Sequence, residues 1–388
     1  VSEPSRALDG IRVVDLTQYV AGPYATMVLA DLGAEVVKVE RPGGDVYRRQ
    51  GPVFVEGEAA SFLTLNRGKR SVVLDVREPG DRERLHALLD RADVLVENSR
   101  PGTMAKLGLD WRAVHERHPS LVYCSLSGFG PREASGKGAY DLTIQALSGL
   151  LAMTGHPGGP PAKIPVAALD FGCGLYAVVG VLAALRAREA TGEGELVSAS
   201  LMGTALAWLS MHVVTLMLGG EAPAPLGTRS PFFAPYEAYR TGDGYLAIVG
   251  TGGADGWGAF CRALGLEDLH DDPRFATNAD RVANAEALRE AVEAALASGR
   301  SEEWAARLEA AGVPCAPVQE LERTLRSPEV AALGLLDRQP HPVAGAVPMV
   351  RLPVELSGHA TVAADPPPLL DQHRDLLAAL DADRPNPD

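Results

Sequence analysis

Asp170 is the acidic residue whose surroundings call for a chemical explanation. It follows a short apolar approach, 166–169, and opens an apolar run of helical pattern, 171–186. Its carboxyl therefore stands at the N-terminus of a predicted helix, where free backbone N–H groups and the helix dipole favour the ionised form. Gly172 and Gly174 lie within the next turn and leave room for a bulky ligand to approach the backbone. An ionised carboxylate in a partly dry pocket is a nucleophile toward an activated acyl group. The structural alternative is a helix cap, the commoner use of an Asp at such a place. Tyr140 and Asp141 precede a second helical pattern, 142–151, and carry the same two readings: chemistry, or a cap with Tyr140 packed beneath it. Basic residues cluster at Arg41, Arg48, Arg49, Arg67, Lys69 and Arg70, and again at Arg100 and Lys106. Several follow predicted strand ends, where a polyanionic ligand binds an open α/β sheet. As a bare pattern they equally describe a solvated charged surface.

The elements that must position these groups alternate. Strand patterns at 11–17, 34–40, 71–76, 92–97 and 121–125 are separated by helix-length connections, with helical patterns at 22–32 and 81–91. That alternation predicts an α/β fold with a Rossmann-like parallel sheet covered on both faces. The texture changes at a Gly- and Pro-rich linker, 219–225. Beyond it, runs at 236–240 and 245–249 flank a turn and predict a hairpin. Helical patterns follow at 256–264, 283–297 and 302–311, which together read as a smaller α+β domain.

Composition narrows the function. The 388 residues are enough for more than one domain and a sizeable core. A formal net charge of −14 argues against a nucleic-acid binder, because phosphate contacts need an excess of Lys and Arg. The first residues hold no apolar signal region, and a cytoplasmic location is expected. Apolar runs at 171–185 and 196–218 are broken by glycines or polar residues and read as buried core helices rather than membrane spans. Cys124, Cys173, Cys261 and Cys315 lie far apart without His at ligand spacing, so reduced core thiols are expected and no metal site. Familiar signatures fail on inspection. Asp170-Phe171-Gly172 and the later HRDL at 373–376 stand in the wrong order for a kinase, and 130–137 has one residue too many for a phosphate loop. Irregular chain is expected at the Pro-rich 366–368 and at 384–388.

The stretches 8–17 (LDGIRVVDLT), 21–23 (AGP) and 29–40 (LADLGAEVVKVE) resemble the opening of family III, CaiB/BaiF-type, CoA transferases. So do 66–71 (NRGKRS), 93–98 (DVLVEN), 100–102 (RPG), 127–130 (SGFG), 184–188 (ALRAR) and 191–194 (TGEG). The likeness continues through 235–236 (PY), 272–275 (DPRF), 278–281 (NADR) and 312–314 (GVP), in order along nearly the whole chain. The resemblance places Asp170 on the family's aspartate nucleophile, with Tyr140 and Asp141 in support. It places Val20, Arg41, Lys69, Arg70, Asn98, Arg100 and Lys106 at or near positions that hold coenzyme A. It implies acyl-CoA and a carboxylic acid as substrates, no permanently bound cofactor, and a homodimer of interlocked chains. It further implies a large domain made of 1–220 and 331–388, with 226–330 as the small one.

The same fold serves α-methylacyl-CoA racemases, which pair a His with the Asp. Tyr140 stands at that His position, and a phenol is a weak partner for proton exchange at neutral pH. Transferase is the preferred reading, racemase the alternative, and a non-catalytic acyl-CoA binder a third. Oxalate-type members carry a glycine run at the region matching 226–231, where one glycine remains, and a Gln where Val20 stands. A succinyl-type donor with another acceptor acid is therefore expected.

Overall fold

The computed structural model describes residues 5–131, 138–221, 224–250, 256–362 and 365–382. The remnant of the phosphate-loop pattern at 132–137 and the tail at 384–388 lie outside the described residues.

Short runs of branched apolar residues build one parallel sheet. Its strands are β1 (Arg12–Asp15), β2 (Glu35–Glu40), β5 (Lys69–Val73), β6 (Val94–Glu97), β7 (Val122–Ser127) and β8 (Leu196–Ser200), with a small hairpin of β3 (Phe54–Val55) and β4 (Glu58–Ala59) between β2 and β5. The order is β5-β2-β1-β6-β7-β8, every pair parallel. Neighbouring residues of a strand face opposite layers. Val13 joins a core under α1 (Ala21–Asp31) and a long later helix, whereas Val14 joins a second core with Val72, Leu85, Leu89 and Leu95. The chain leaves β1 toward β2 and β5, then crosses back to β6 on the other side. The carboxyl ends of β1 and β6 thus flank the topological switch point, the place where such sheets bind ligands.

The other helices of this layer system are α2 (Ala60–Leu65), α3 (Pro79–Leu89), α4 (Thr103–Lys106), α5 (Trp111–Arg117), α6 (Asp141–Leu147), α8 (Ala168–Thr191) and α9 (Leu201–Trp208), while α7 (Leu150–Met153) and α10 (Ser210–Met217) run across the points where the chain leaves it. Helix α8 is long and apolar enough to cross a membrane by length and composition. One flank of it, with Leu169, Cys173, Ala177, Val181 and Ala184, is instead core against α1 and the sheet. The apolar run 196–218 is not the buried helix expected. It begins as β8, paired to β7, and turns into α9 where Ser200 accepts a hydrogen bond from Gly203 N at 3.1 Å. Helix α10 then buries none of its residues.

The chain divides into two compact units: Val1–Leu150, Ile164–Val214 and Ala331–Asp388 form one, Leu151–Lys163 and Thr215–Val330 the other. The segment 151–163 therefore leaves the large domain to which the expected boundary of 1–220 assigned it. The cause is local, since Gly155 O accepts from Gly227 N at 2.7 Å. In the second unit β9 (Tyr236–Arg240), β10 (Tyr245–Val249) and β11 (Cys315–Pro317) form an antiparallel sheet. Phe260, Leu288, Val292, Trp304 and Leu308 cover it around Leu246 and Ile248. In the first unit the C-terminal segment returns to edge strand β5. Asp371 accepts from Val73 N at 2.8 Å, and His373 Nδ1 accepts from Ser71 N at 3.2 Å.

Candidate active site

Helix α8 begins at Ala168, so Asp170 lies inside its first turn rather than at its cap. The cap comes from elsewhere. Asp141, buried at the start of α6, accepts from Leu169 N at 2.8 Å and from Gln145 Nε2, whose own carbonyl accepts from Ile164 N at 3.3 Å. Asp141, rather than Asp170, thus satisfies an N-terminal N–H of α8. Among the described residues no side chain donates to the Asp170 carboxylate. Burial pushes its pKa up to about 7, and the Asp141 carboxylate adds to the effect. Held mainly as a neutral or half-ionised group, Asp170 is the reverse of the dipole-stabilised anion expected. Desolvation outweighs the helix end once its N–H group is claimed.

The glycines after Asp170 also serve another purpose than expected. A Cβ on Gly172 would collide with Trp208, and one on Gly174 would stand 2.7 Å from Ala21 O. They admit α9 and α1 to close contact with α8. Phe171 packs edge-on against Tyr24 of α1, with ring centroids 4.7 Å apart.

Three further tyrosines gather at this end of the sheet. Tyr19 lies edge-on to Tyr47 at 5.8 Å and to Tyr140 at 6.3 Å. Tyr140 is exposed and is not packed beneath α6; its backbone N–H donates to Thr143 Oγ1 at 2.9 Å, and its carbonyl accepts from Thr143 Oγ1 at 2.8 Å and from Ile144 N at 3.0 Å. Burial raises the Tyr47 pKa, and the nearby Asp170 carboxylate raises it further. The phenol therefore stays neutral near Asp170.

The basic residues divide sharply. At the switch point Asn98 accepts from Gln18 N at 3.0 Å and donates to Gln18 O at 2.7 Å, joining the loop after β6 to the loop after β1. Arg41, Arg100 and Lys106 lie exposed on this side, after β2, after β6 and in α4, and among the described residues they pair with no acid. Val20, the residue before α1, is buried. Lys69 and Arg70 are corrections. Both start β5, at the opposite end of the sheet from Glu40 and Glu97. Lys69 is fully buried and donates to Asp15 (3.1 Å), Pro23 O (2.9 Å) and Asn66 (2.8 Å), leaving no donor for a ligand. Arg70 pairs with Glu35 at 2.6 Å. The residue beyond the carboxyl end of the same strand that reaches solvent is Arg77, held by Asp75. Sequence reasoning passed over it; it follows the same end of the sheet as Arg41, though further from its strand. Tyr19 and Tyr47 were missed too; neither has a spacing that marks it.

A family model described as CoA-transferase family III matches residues 8–374. The chain belongs to this family. Similar curated relatives include the succinyl-CoA:glutarate CoA-transferase of Mus musculus, 35% identical over 95% of this chain and 85% of that protein. The acetyl-CoA:oxalate CoA-transferase of Acetobacter aceti is 37% identical over 92% of this chain and 91% of its own. A CaiB/BaiF family protein from Brucella suis superposes with a TM-score of 0.86 at 35% identity, covering 97% of this chain and 100% of that one. For a family III enzyme, whose substrates are acyl-CoA and carboxylate, the half-buried Asp170 and the basic switch point are the features that need a chemical account.

Proposed function

We propose that the enzyme moves coenzyme A from a succinyl-type acyl-CoA to a free carboxylic acid, with Asp170 as nucleophile. The observation that carries this reading is a half-buried carboxyl in the first turn of α8, without a donor among the described side chains, whose pKa desolvation and the Asp141 carboxylate push up to about 7. Such a group is ionised often enough to attack at neutral pH and desolvated enough to be reactive.

An Asp170 oxygen adds to the thioester carbonyl carbon, the π pair moves onto the carbonyl oxygen, and collapse expels the coenzyme A thiolate. The product is a mixed anhydride. The thiolate then attacks the Asp170 carbonyl, releases the donor acid and leaves an aspartyl thioester. The acceptor carboxylate attacks that carbonyl, expels the thiolate and forms a second anhydride. Attack of the thiolate on the acceptor's carbonyl gives the new acyl-CoA and returns Asp170 as a carboxylate. Arg41, Asn98, Arg100 and Lys106 hold coenzyme A across the switch point, with Val20 lining the approach. Asp141 positions the first turn of α8, and Tyr140 covers the acyl group. The names of the mouse and Acetobacter relatives, both transferases between an acyl-CoA and a dicarboxylic acid, support this substrate class.

A homodimer belongs to the same proposal. Leu142, Leu147, Leu175, Tyr176, Val179, Leu206 and Trp208 stand exposed on α6, α8 and α9 and call for a covering partner. Sedimentation at micromolar concentration is expected to give a dimer, and a monomer would refute it.

The reaction is tested by incubating the protein with a panel of acyl-CoA donors and free acids and reading new thioesters by mass spectrometry. Hydroxylamine added during turnover is expected to mark Asp170. Rapid α-deuterium exchange into a 2-methylacyl-CoA, with no transfer to any acid, would replace this reading with a racemase.

A further inference from the structure

Tyr19 has φ of 69°, a left-handed conformation that costs free energy in any residue with a Cβ. Such strain persists only where the surroundings over-determine it, and here three consecutive residues are pinned. Thr17 O accepts from the buried ammonium of Lys38 at 2.8 Å. Gln18 is gripped on both backbone groups by Asn98. Tyr19 N lies 3.4 Å from Asp45 Oδ1. The same Asp45 oxygen accepts from Tyr47 N at 3.0 Å, while its second oxygen meets Lys38 Nζ at 3.0 Å. Asp45 is fixed in turn, since its own N–H donates to Glu40 at 2.8 Å. One buried ion pair therefore sets two tyrosine backbones at once.

The result of that anchoring is the edge-on contact of Tyr19 with both Tyr47 and Tyr140. Tyr140 precedes Asp141, which caps the helix of Asp170. We propose that Asp45, locked by Lys38, is a positioning residue for acyl transfer at Asp170. It sets Tyr19 and Tyr47 so that their rings, with that of Tyr140, wall the acyl group joined to the nucleophile and keep water from it. The proposal rests on the transferase reading above. Its chemical consequence is specific: each anhydride partitions between attack by thiolate and attack by water, and the wall sets that ratio.

Asp45→Ala removes the acceptor that holds both tyrosines. A displacement of about an ångström costs on the order of 100-fold in rate. We expect transfer to fall by that factor, hydrolysis of the donor acyl-CoA to rise at least about tenfold relative to transfer, and free coenzyme A to bind as in the wild type. Tyr19→Ala is expected to shift the ratio in the same direction. Lys38→Met with Asp45→Asn removes both charges yet keeps the acceptor oxygen, and should bring the ratio back to within about threefold of the wild type. Should Asp45→Ala not fold, K38M/D45N is compared with K38M/D45L, which differ in the acceptor alone. A folded Asp45 variant lacking the acceptor but partitioning like the wild type would overturn the positioning role alone. Absence of any hydroxylamine-trapped Asp170 adduct in the wild type would instead overturn the transferase reading on which it rests.

Discussion

Asp15, fully buried on β1, and Asp170, half-buried in the first turn of α8, both lose water, and the protein treats them in opposite ways. Burial opposes the ionisation of Asp15, but Lys69 and Lys38, with hydrogen bonds from Thr17 and Thr26, hold its carboxyl well below the usual range. Lys69 yields part of its own basicity to burial, falling to about 8. Asp170 has burial without a cation, and an anion, Asp141, as its neighbour. The difference teaches where reactivity is stored. A carboxylate with matched partners is structure, and one denied them remains available for a covalent step.

The comparison breaks most dramatically at Asp170 itself. Asp170→Ala should fold and lose transfer by several orders of magnitude, measured with the best donor and acid pair from the screen. Retained transfer would show that an unpartnered half-buried carboxyl is not the nucleophile here.

Removing a partner from the other aspartate should cost stability rather than chemistry. Lys69→Met strands Asp15 in the interior and is expected to destabilise the fold by about 3–5 kcal/mol in denaturant titration.

Asp170→Asn should do the reverse. A raised folded-state pKa means that the unfolded chain releases its proton first as pH rises from the ordinary carboxylate range to about 7, so stability falls across that window. The amide removes this penalty. The variant should be more stable than the wild type by roughly 2–4 kcal/mol at pH 8 and little changed at pH 4. Equal effects at both pH values would deny the shift.

The smallest effect concerns the neighbour. Single-turnover formation of the Asp170 adduct should rise with pH to a midpoint near 7 as the carboxyl ionises. Asp141→Asn keeps a cap for Leu169 and removes the repelling charge, so the midpoint should move lower by about one unit. An unmoved midpoint would assign the whole shift to burial.

Much of this was legible before any coordinates. The strand patterns at 11–17 and 34–40 contain β1 and β2, and the hairpin at 236–249 has the expected strands. Asp170 stood out because an apolar run began at it. Those features are local, written in the two-residue period of strands and the helical period of 3.6. Strand β8 was not legible, because its apolar residues run into α9 without a break in composition.

What the sequence determined by itself was the alternation of strands and helices, the parallel sheet that follows from it, and an acidic residue near the start of a long helix. Tertiary structure decided which charges do chemistry. Lys69 looks like Arg41 in a list of basic residues, yet it meets Asp15 across 54 positions and is consumed there. Asp141 caps Leu169 N at the start of α8 across 28 positions. Tyr19 joins Tyr47 and Tyr140 only where loops from separate strands converge. Each of these outcomes depends on a partner distant in the chain, and the charge state of a buried group is set by the partners it meets in space.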